Sequence, residues 1–289
     1  MRYYALARPE RRVLVARDGD DIFDLPSANP DVEGYFDLVR AARITNQSVE
    51  RVARGLLDEA EEVAPEELTG RLGRPAVPEE VWAAGVTYRI SEKAREAESG
   101  MPDVYVDVYE RERPELFFKA TGSRTVGPGD AVGVREDSAW NVPEPELGIV
   151  LHRGDIVGYT IGNDVSSRSI EGTNPLYLPQ AKVYERCCSI GPCITPPGTV
   201  GDPHDLGMAM TIERDGEVVY DEATSTSEMV VTCEELVSYY TRHNVVPETA
   251  VLLTGTALVP DEDFTLRRGD EVRIEIEGIG VLENSVTVV

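Results

Sequence analysis

Short stretches with alternating apolar and polar positions dominate the chain. Residues 3–7 and 12–16 alternate with the period of a half-buried strand. Residues 31–42 and 47–61 instead space their apolar positions for helices, and the acidic run 58–67 reads as exposed helix or loop. Turn residues gather at 73–78. They divide the chain into a small N-terminal unit, residues 1–73, and a larger one, residues 74–289. In the larger unit, residues 81–88 read as a buried strand, and Ser91 can cap a helix running to about residue 99. Residues 116–118, 147–151 and 158–164 are further apolar runs of strand length. Asp215-Gly216, between two alternating runs, marks a tight hairpin, and residues 233–242 have helical spacing. Residues 250–258, 271–277 and 281–288 finish as strands. There is no regular strand–helix alternation, no phosphate-binding glycine loop and no internal repeat. Many strands with few helices predict a β-rich α+β fold.

One stretch stands apart from this pattern, Trp140-Asn-Val-Pro-Glu-Pro-Glu-Leu147. Pro143 and Pro145 disfavour helix and push their predecessors into extended conformations. Side chains at i and i+2 of an extended segment share a face. Glu144 and Glu146 are therefore aimed at one place, just before a buried strand. Two carboxylates burying their charge together repel, and a divalent cation resolves the repulsion. Oxygen ligands without Cys or His suit Mg²⁺, Mn²⁺ or Ca²⁺ rather than zinc. Asp164, at the polar end of the run 158–164, can supply a third ligand. The competing reading is a proline-rich acidic loop with solvated carboxylates.

Composition narrows the partners. The chain has 53 acidic and 28 basic residues and a formal charge of -25. Nucleic acids and anionic membrane surfaces need a basic footprint, so both are excluded as partners. The acidic residues are spread along the whole chain, and Lys93, Lys119 and Lys182 are its only lysines. Such a surface suits molar salt, which screens repulsion among carboxylates. The thermal midpoint is accordingly expected to rise between low and molar KCl, because the Debye length falls from about 10 Å at 0.1 M to about 3 Å at 1 M. A flat midpoint in a calorimetric salt series would assign the acidity another cause. The first residues carry no long apolar core and no run approaches a membrane span, so a cytoplasmic location is expected. Cys187, Cys188, Cys193 and Cys233 have neither zinc nor disulfide spacing and read as small core residues.

Where arginine is used almost throughout, a retained lysine points to a compact ammonium or a tunable proton affinity. Lys119 and Lys182 sit in apolar or loop contexts beside the acidic motif, whereas Lys93 lies on an acidic helix. His152, His204 and His243 read as surface residues, and none belongs to a nucleophile motif. Acid–base work then falls to carboxylates, lysine or tyrosine.

The order Arg113-Pro-Glu-Leu-Phe-Phe-Lys119, Gly127-Pro-Gly-Asp130, Pro143-Glu-Pro-Glu-Leu147, Gly158-Tyr-Thr-Ile-Gly-Asn-Asp-Val-Ser-Ser-Arg168, Lys182, Ile190-Gly-Pro192 and Thr254-Gly-Thr256 resembles the fumarylacetoacetate hydrolase superfamily. The resemblance runs from about residue 80 to residue 289. Within it, Trp140 to Leu147 and Ser169 to Tyr184 are most similar to the 2-keto-3-deoxy-pentonate dehydratases. The resemblance implies a rolled, mixed β-sheet catalytic domain with a smaller N-terminal domain, in a homo-oligomer, dimer or tetramer. It implies Glu144, Glu146 and Asp164 as ligands of Mg²⁺, with Mn²⁺ as an alternative, and a small 2-keto-3-deoxy sugar acid as substrate. Lys182 and Glu115 are then the acid–base pair, and Thr256, Thr87, Arg89 and Lys119 bind the substrate. One position departs from the hydrolases. Where they carry a water-activating His, this chain has Ser91. That favours dehydration over its rivals, a C–C hydrolase or decarboxylase using the same metal, and a degenerate cation-binding protein.

Overall fold

The computed structural model describes residues 1–9, 11–89 and 113–289. The expected helix from Ser91 and the departure at Ser91 itself lie outside them. The expected strand-rich α+β fold is present, with mixed sheets. Among the described residues the main sheet has twelve strands. Its path runs from Glu61–Glu62 through Asp21–Asp24, Arg12–Asp18, Arg2–Ala7, Cys188–Thr195, Asp155–Asp164, Pro145–His152, Thr249–Leu253 and Glu80–Gly85 to Glu115–Thr121. Thr249–Leu253 and Glu80–Gly85 are parallel, and the other neighbours along the path are antiparallel. A second sheet of five strands holds the hairpin turned by Asp215 and Gly216, both at positive φ.

Alternation decides which face each side chain joins. Leu147, Ile149 and Leu151 enter one core with Met208, Ile274 and Leu282 of the five-stranded sheet and Leu236 of the helix Cys233–Thr241. Val150, Val251 and Leu253 enter the other, with Tyr35, Leu38 and Val39 of the helix Tyr35–Thr45. Leu147 and Ile149 are wholly buried, and complete burial of such a side chain contributes about 1.5–3 kcal/mol.

The first 73 residues join the main sheet edge-on. Tyr3 pairs with Ile194 and Tyr4 with Cys193, and the Tyr35 hydroxyl donates to the Val157 carbonyl at 2.6 Å. Both expected N-terminal helices form with shifted ends. The first starts at Tyr35, where Asp37 accepts from the Gly34 N–H, and stops at Asn46 in the left-handed region. The second spans only Val49–Arg54. It is capped by Ser48 and ends at Gly55, where helix propensity falls.

His152 corrects the expectation of a surface histidine. It is 1 % exposed, its ring stacks on Phe36, and its Nε2 lies 3.4 Å from Glu248 Oε1. The strand Pro145–His152 continues past the apolar run and carries the ring under the N-terminal helix. Burial there lowers its proton affinity.

Strand direction gathers one set of residues at one end of the sheet. The strands Glu80–Gly85 and Thr249–Leu253 are parallel, so both end there. Their antiparallel neighbours Glu115–Thr121 and Pro145–His152 begin there, and Asp155–Asp164 ends there. Sequence segments far apart thus deliver Glu115, Thr87, Gly255, Glu146 and Asp164 to a common edge.

Candidate active site

The three expected ligands converge. Glu144, Glu146 and Asp164 are all buried, and each offers an oxygen within 4.8 Å of the others. Local structure explains this. The Asp164 N–H donates to the Glu144 carbonyl, making these residues opposite neighbours, and Glu146 lies one period further along its strand. Gly162 faces Glu146, and a Cβ there would overlap the Leu253 side chain. The Glu144 N–H donates to Asn163 Oδ1 at 3.2 Å, which fixes the proline-flanked segment.

Each carboxylate is held from outside. Arg168 reaches Glu144 Oε1 at 2.8 Å, Lys119 reaches Asp164 Oδ1 at 2.6 Å, and the Gly255 N–H donates to Glu146 Oε2. Gly255 has φ 85°, and a Cβ there would overlap Thr87 Oγ1. Only glycine lets the backbone come this close. Thr87 donates to the Thr254 carbonyl and holds the same loop. It follows Val86, whose φ of 55° is a strained conformation for a β-branched residue.

Lys182 stands inside this ring. Its ammonium donates to Glu144 Oε2 at 2.8 Å and to Ser166 Oγ at 2.6 Å, with Asp164 Oδ2 at 3.5 Å. The Phe117 ring lies 5.2 Å away. Lys119 is wholly buried and donates to Asp164 Oδ1, the Val165 carbonyl and the Lys182 carbonyl. An ammonium has three N–H groups, and all three are engaged by protein. Burial lowers the proton affinity of Lys119, but Asp164 together with the Cys187 and Cys188 thiols more than offsets this and leaves it raised. Its strand lies four steps along the sheet from that of Asp164. In a flat sheet that is about 19 Å, beyond a lysine's reach, so the sheet curls. The register also slips opposite Val81/Trp82, making Lys119 a bulged residue. Bulges re-aim side chains in this way.

Glu115 and Phe117 share the face that meets Lys182. Glu115 pairs with Gly85, where a Cβ would overlap its carboxylate. Thr256 is buried beside Gly255 and accepts from the Leu258 N–H at 3.0 Å. Arg89 is exposed, and among the described residues no hydrogen bond joins it to the cluster. Ser166 and Arg168 are the site residues to which the sequence assigned no role. They stand two and four positions after Asp164, and that alternation was the available signal. No histidine enters the cluster. His152 is at the far end of its strand, about 23 Å from Pro145, His204 accepts from the Cys233 N–H, and His243 is exposed. The thiols are buried, and burial raises Cys193 to about 11 and Cys233 to about 12, so neither is a nucleophile at neutral pH.

The donor set fits a hard divalent cation. Burial, then repulsion by Asp164 and Glu144, raises the proton affinity of Glu146 well above the carboxylate range, against the pull of the Gly255 N–H and Lys182. A folded-state pKa above the unfolded value means that ionising Glu146 costs stability as pH rises through it. A cation displaces that proton. The gain in thermal midpoint on adding MgCl₂ should therefore grow with pH, as scanning fluorimetry against EDTA controls can measure. A gain independent of pH would place binding away from Glu146.

The family model for the fumarylacetoacetate (FAA) hydrolase C-terminal domain matches residues 80–287, and the chain belongs to that family. Among particular relatives, it is 63 % identical over 290 residues, all of both chains, to a Haloferax volcanii protein named "Probable 2-keto-3-deoxyxylonate dehydratase". It is 43 % identical over 218 residues, 73 % of each chain, to the 2-dehydro-3-deoxy-D-arabinonate dehydratase of Saccharolobus solfataricus. A solved structure of 2-keto-3-deoxy-D-arabinonate dehydratase with magnesium and 2,5-dioxopentanoate superposes with TM-score 0.85 at 34 % identity, covering 100 % of this chain and 99 % of that one.

Proposed function

We propose that the chain is a Mg²⁺-dependent hydro-lyase that converts 2-keto-3-deoxy-D-pentonate to 2,5-dioxopentanoate in pentose degradation. The observation that carries this reading is the buried cluster of three carboxylates around the Lys182 ammonium. The names of the relatives support it. Carbon 4 is the only stereocentre left in a 2-keto-3-deoxy-pentonate. The D-xylonate and D-arabinonate derivatives are therefore one compound, and the two sets of names agree.

Glu144, Glu146 and Asp164 would hold Mg²⁺, with Mn²⁺ an alternative for an all-oxygen site. Bound there, the ion supplies Lewis acidity to a 2-keto acid. Lys182 and Glu115 are the acid–base pair. One takes a proton from C3, and the other protonates the C4 hydroxyl as it leaves as water. The unsaturated product then loses one proton from C5 and one from its hydroxyl and gains one each at C3 and C4, which turns the C5 alcohol into the aldehyde without an external oxidant. Thr256 and Thr87, beside Gly255, line the position from which substrate would be oriented. Lys119 acts through Asp164, because its N–H groups are all engaged by protein. Arg89 completes the expected substrate-binding set. The division into residues 1–73 and 74–289, a cytoplasmic location and a homo-oligomeric state belong to the same reading. The family match beginning at residue 80 supports the first. The unpaired thiols support the second, and among the described residues no helix is long and apolar enough to cross a membrane. The apolar side chain of Leu176, 83 % exposed, is consistent with the homo-oligomeric state.

The test is turnover of 2-keto-3-deoxy-D-pentonate coupled to a 2,5-dioxopentanoate dehydrogenase, with acylpyruvates as competing substrates. Semialdehyde should form without pyruvate, and EDTA should stop it. Cleavage of an acylpyruvate with no turnover of the sugar acid would restore the hydrolase reading.

A further inference from the structure

We propose that Ser166 is a positioning residue that orients the Lys182 ammonium for proton transfer, an inference resting on the dehydratase reading above. Ser166 is wholly buried, and its Oγ accepts from Lys182 Nζ at 2.6 Å. That is shorter than the ammonium's distances to Glu144 Oε2, 2.8 Å, and Asp164 Oδ2, 3.5 Å. The Ser166 hydroxyl in turn donates to the Asp164 carbonyl at 3.0 Å. Its backbone pairs with Val142, two residues before Glu144. One short ladder therefore fixes Ser166 and a carboxylate ligand together.

The physical case concerns direction. Lys182 carries its charge on a flexible four-carbon stem. Coulomb attraction to two carboxylates is strong but only weakly directional, so it leaves the ammonium free to slide between them. A hydroxyl adds a directed hydrogen bond without adding a charge to the cluster. The other end of the residue is already pinned, because Lys119 donates to the Lys182 carbonyl at 2.6 Å. The Phe117 ring limits the remaining side. Ser166 thus supplies the restraint at the reacting end, where a small misplacement is costly.

The experiment compares wild type with Ser166→Ala, Ser166→Cys and Ser166→Thr in the coupled assay, with Mg²⁺ affinity from calorimetric titration and thermal midpoints alongside. Ser166→Ala should lose kcat by about 10- to 100-fold, with KM and Mg²⁺ affinity nearly unchanged. Ser166→Cys is close in size but a weak acceptor, and should be similarly slow. It keeps the test open if the alanine variant fails to fold. Ser166→Thr keeps the hydroxyl and should recover most of the loss. Folded Ala or Cys variants with wild-type kcat overturn the proposal. So does a loss of kcat matched by an equal loss of Mg²⁺ affinity, which would mark a role in the ligand ladder. Wild type inactive on the keto acid would instead overturn the dehydratase reading, and this inference with it.

Discussion

Glu146→Gln is expected to abolish Mg²⁺ binding and to lower kcat by on the order of 10³-fold, while leaving the metal-free protein no less stable than wild type. Glu146 is 1 % exposed, and its Oε2 accepts from the Gly255 N–H. A glutamine fits the same space and offers its carbonyl oxygen to that N–H. Its amide nitrogen then faces the other carboxylates, where a donor cannot ligate a cation. A metal acting as a Lewis acid is worth several kcal/mol, and each 1.36 kcal/mol is tenfold in rate. Stability moves the other way. The buried carboxylate pays a desolvation penalty beside Asp164 and Glu144, and a neutral amide does not. The thermal midpoint in EDTA should match or exceed that of wild type, and its rise on adding MgCl₂ should disappear. Full turnover in EDTA, or a glutamine variant that still binds Mg²⁺ in a calorimetric titration, would remove Glu146 from the site.

Lys182→Met is expected to lower kcat by on the order of 10²-fold or more, the usual contribution of a positioned acid or base. Methionine matches the length of the stem and can pack against the Phe117 ring, so the change removes the ammonium with little loss of packing. Its neighbours stay paired, because Glu144 keeps Arg168 at 2.8 Å and Asp164 keeps Lys119 at 2.6 Å. The variant should therefore still fold and bind Mg²⁺. Isotope exchange reports on the same chemistry. In D₂O the wild-type product should carry solvent deuterium at C3 and C4, the two carbons protonated after water leaves. Product without deuterium at C3, or a Lys182→Met variant with wild-type kcat, would move the proton transfers elsewhere.

How much of this was legible in the chain depended on whether the constraint was local. Pro143 and Pro145 restrict the backbone of their neighbours, so the convergence of Glu144 and Glu146 could be read from four residues. Asp164 was readable as the polar end of an apolar run. Lys182 was marked by the near absence of other lysines. The alternation that assigns strands to two faces was also present, which is why the β-rich class was recoverable.

The remaining features needed strand order and register, which couple residues far apart in the chain. Tyr3 pairs with Ile194 where the N-terminal strands join the rest of the sheet, and nothing near either residue announces the pairing. The sequence directed Lys119 to the substrate. The curled sheet and the bulge at that residue enclose it against Asp164 and the Lys182 carbonyl instead. His152 looked exposed because it ends an apolar run, and only the docked N-terminal helix buries it. Ser166 and Arg168 sit on the correct period, yet alternation alone does not say which polar side chains on a strand face inward. That choice belongs to the tertiary structure, because enclosing a charge is tolerable only where the fold brings its partners to it.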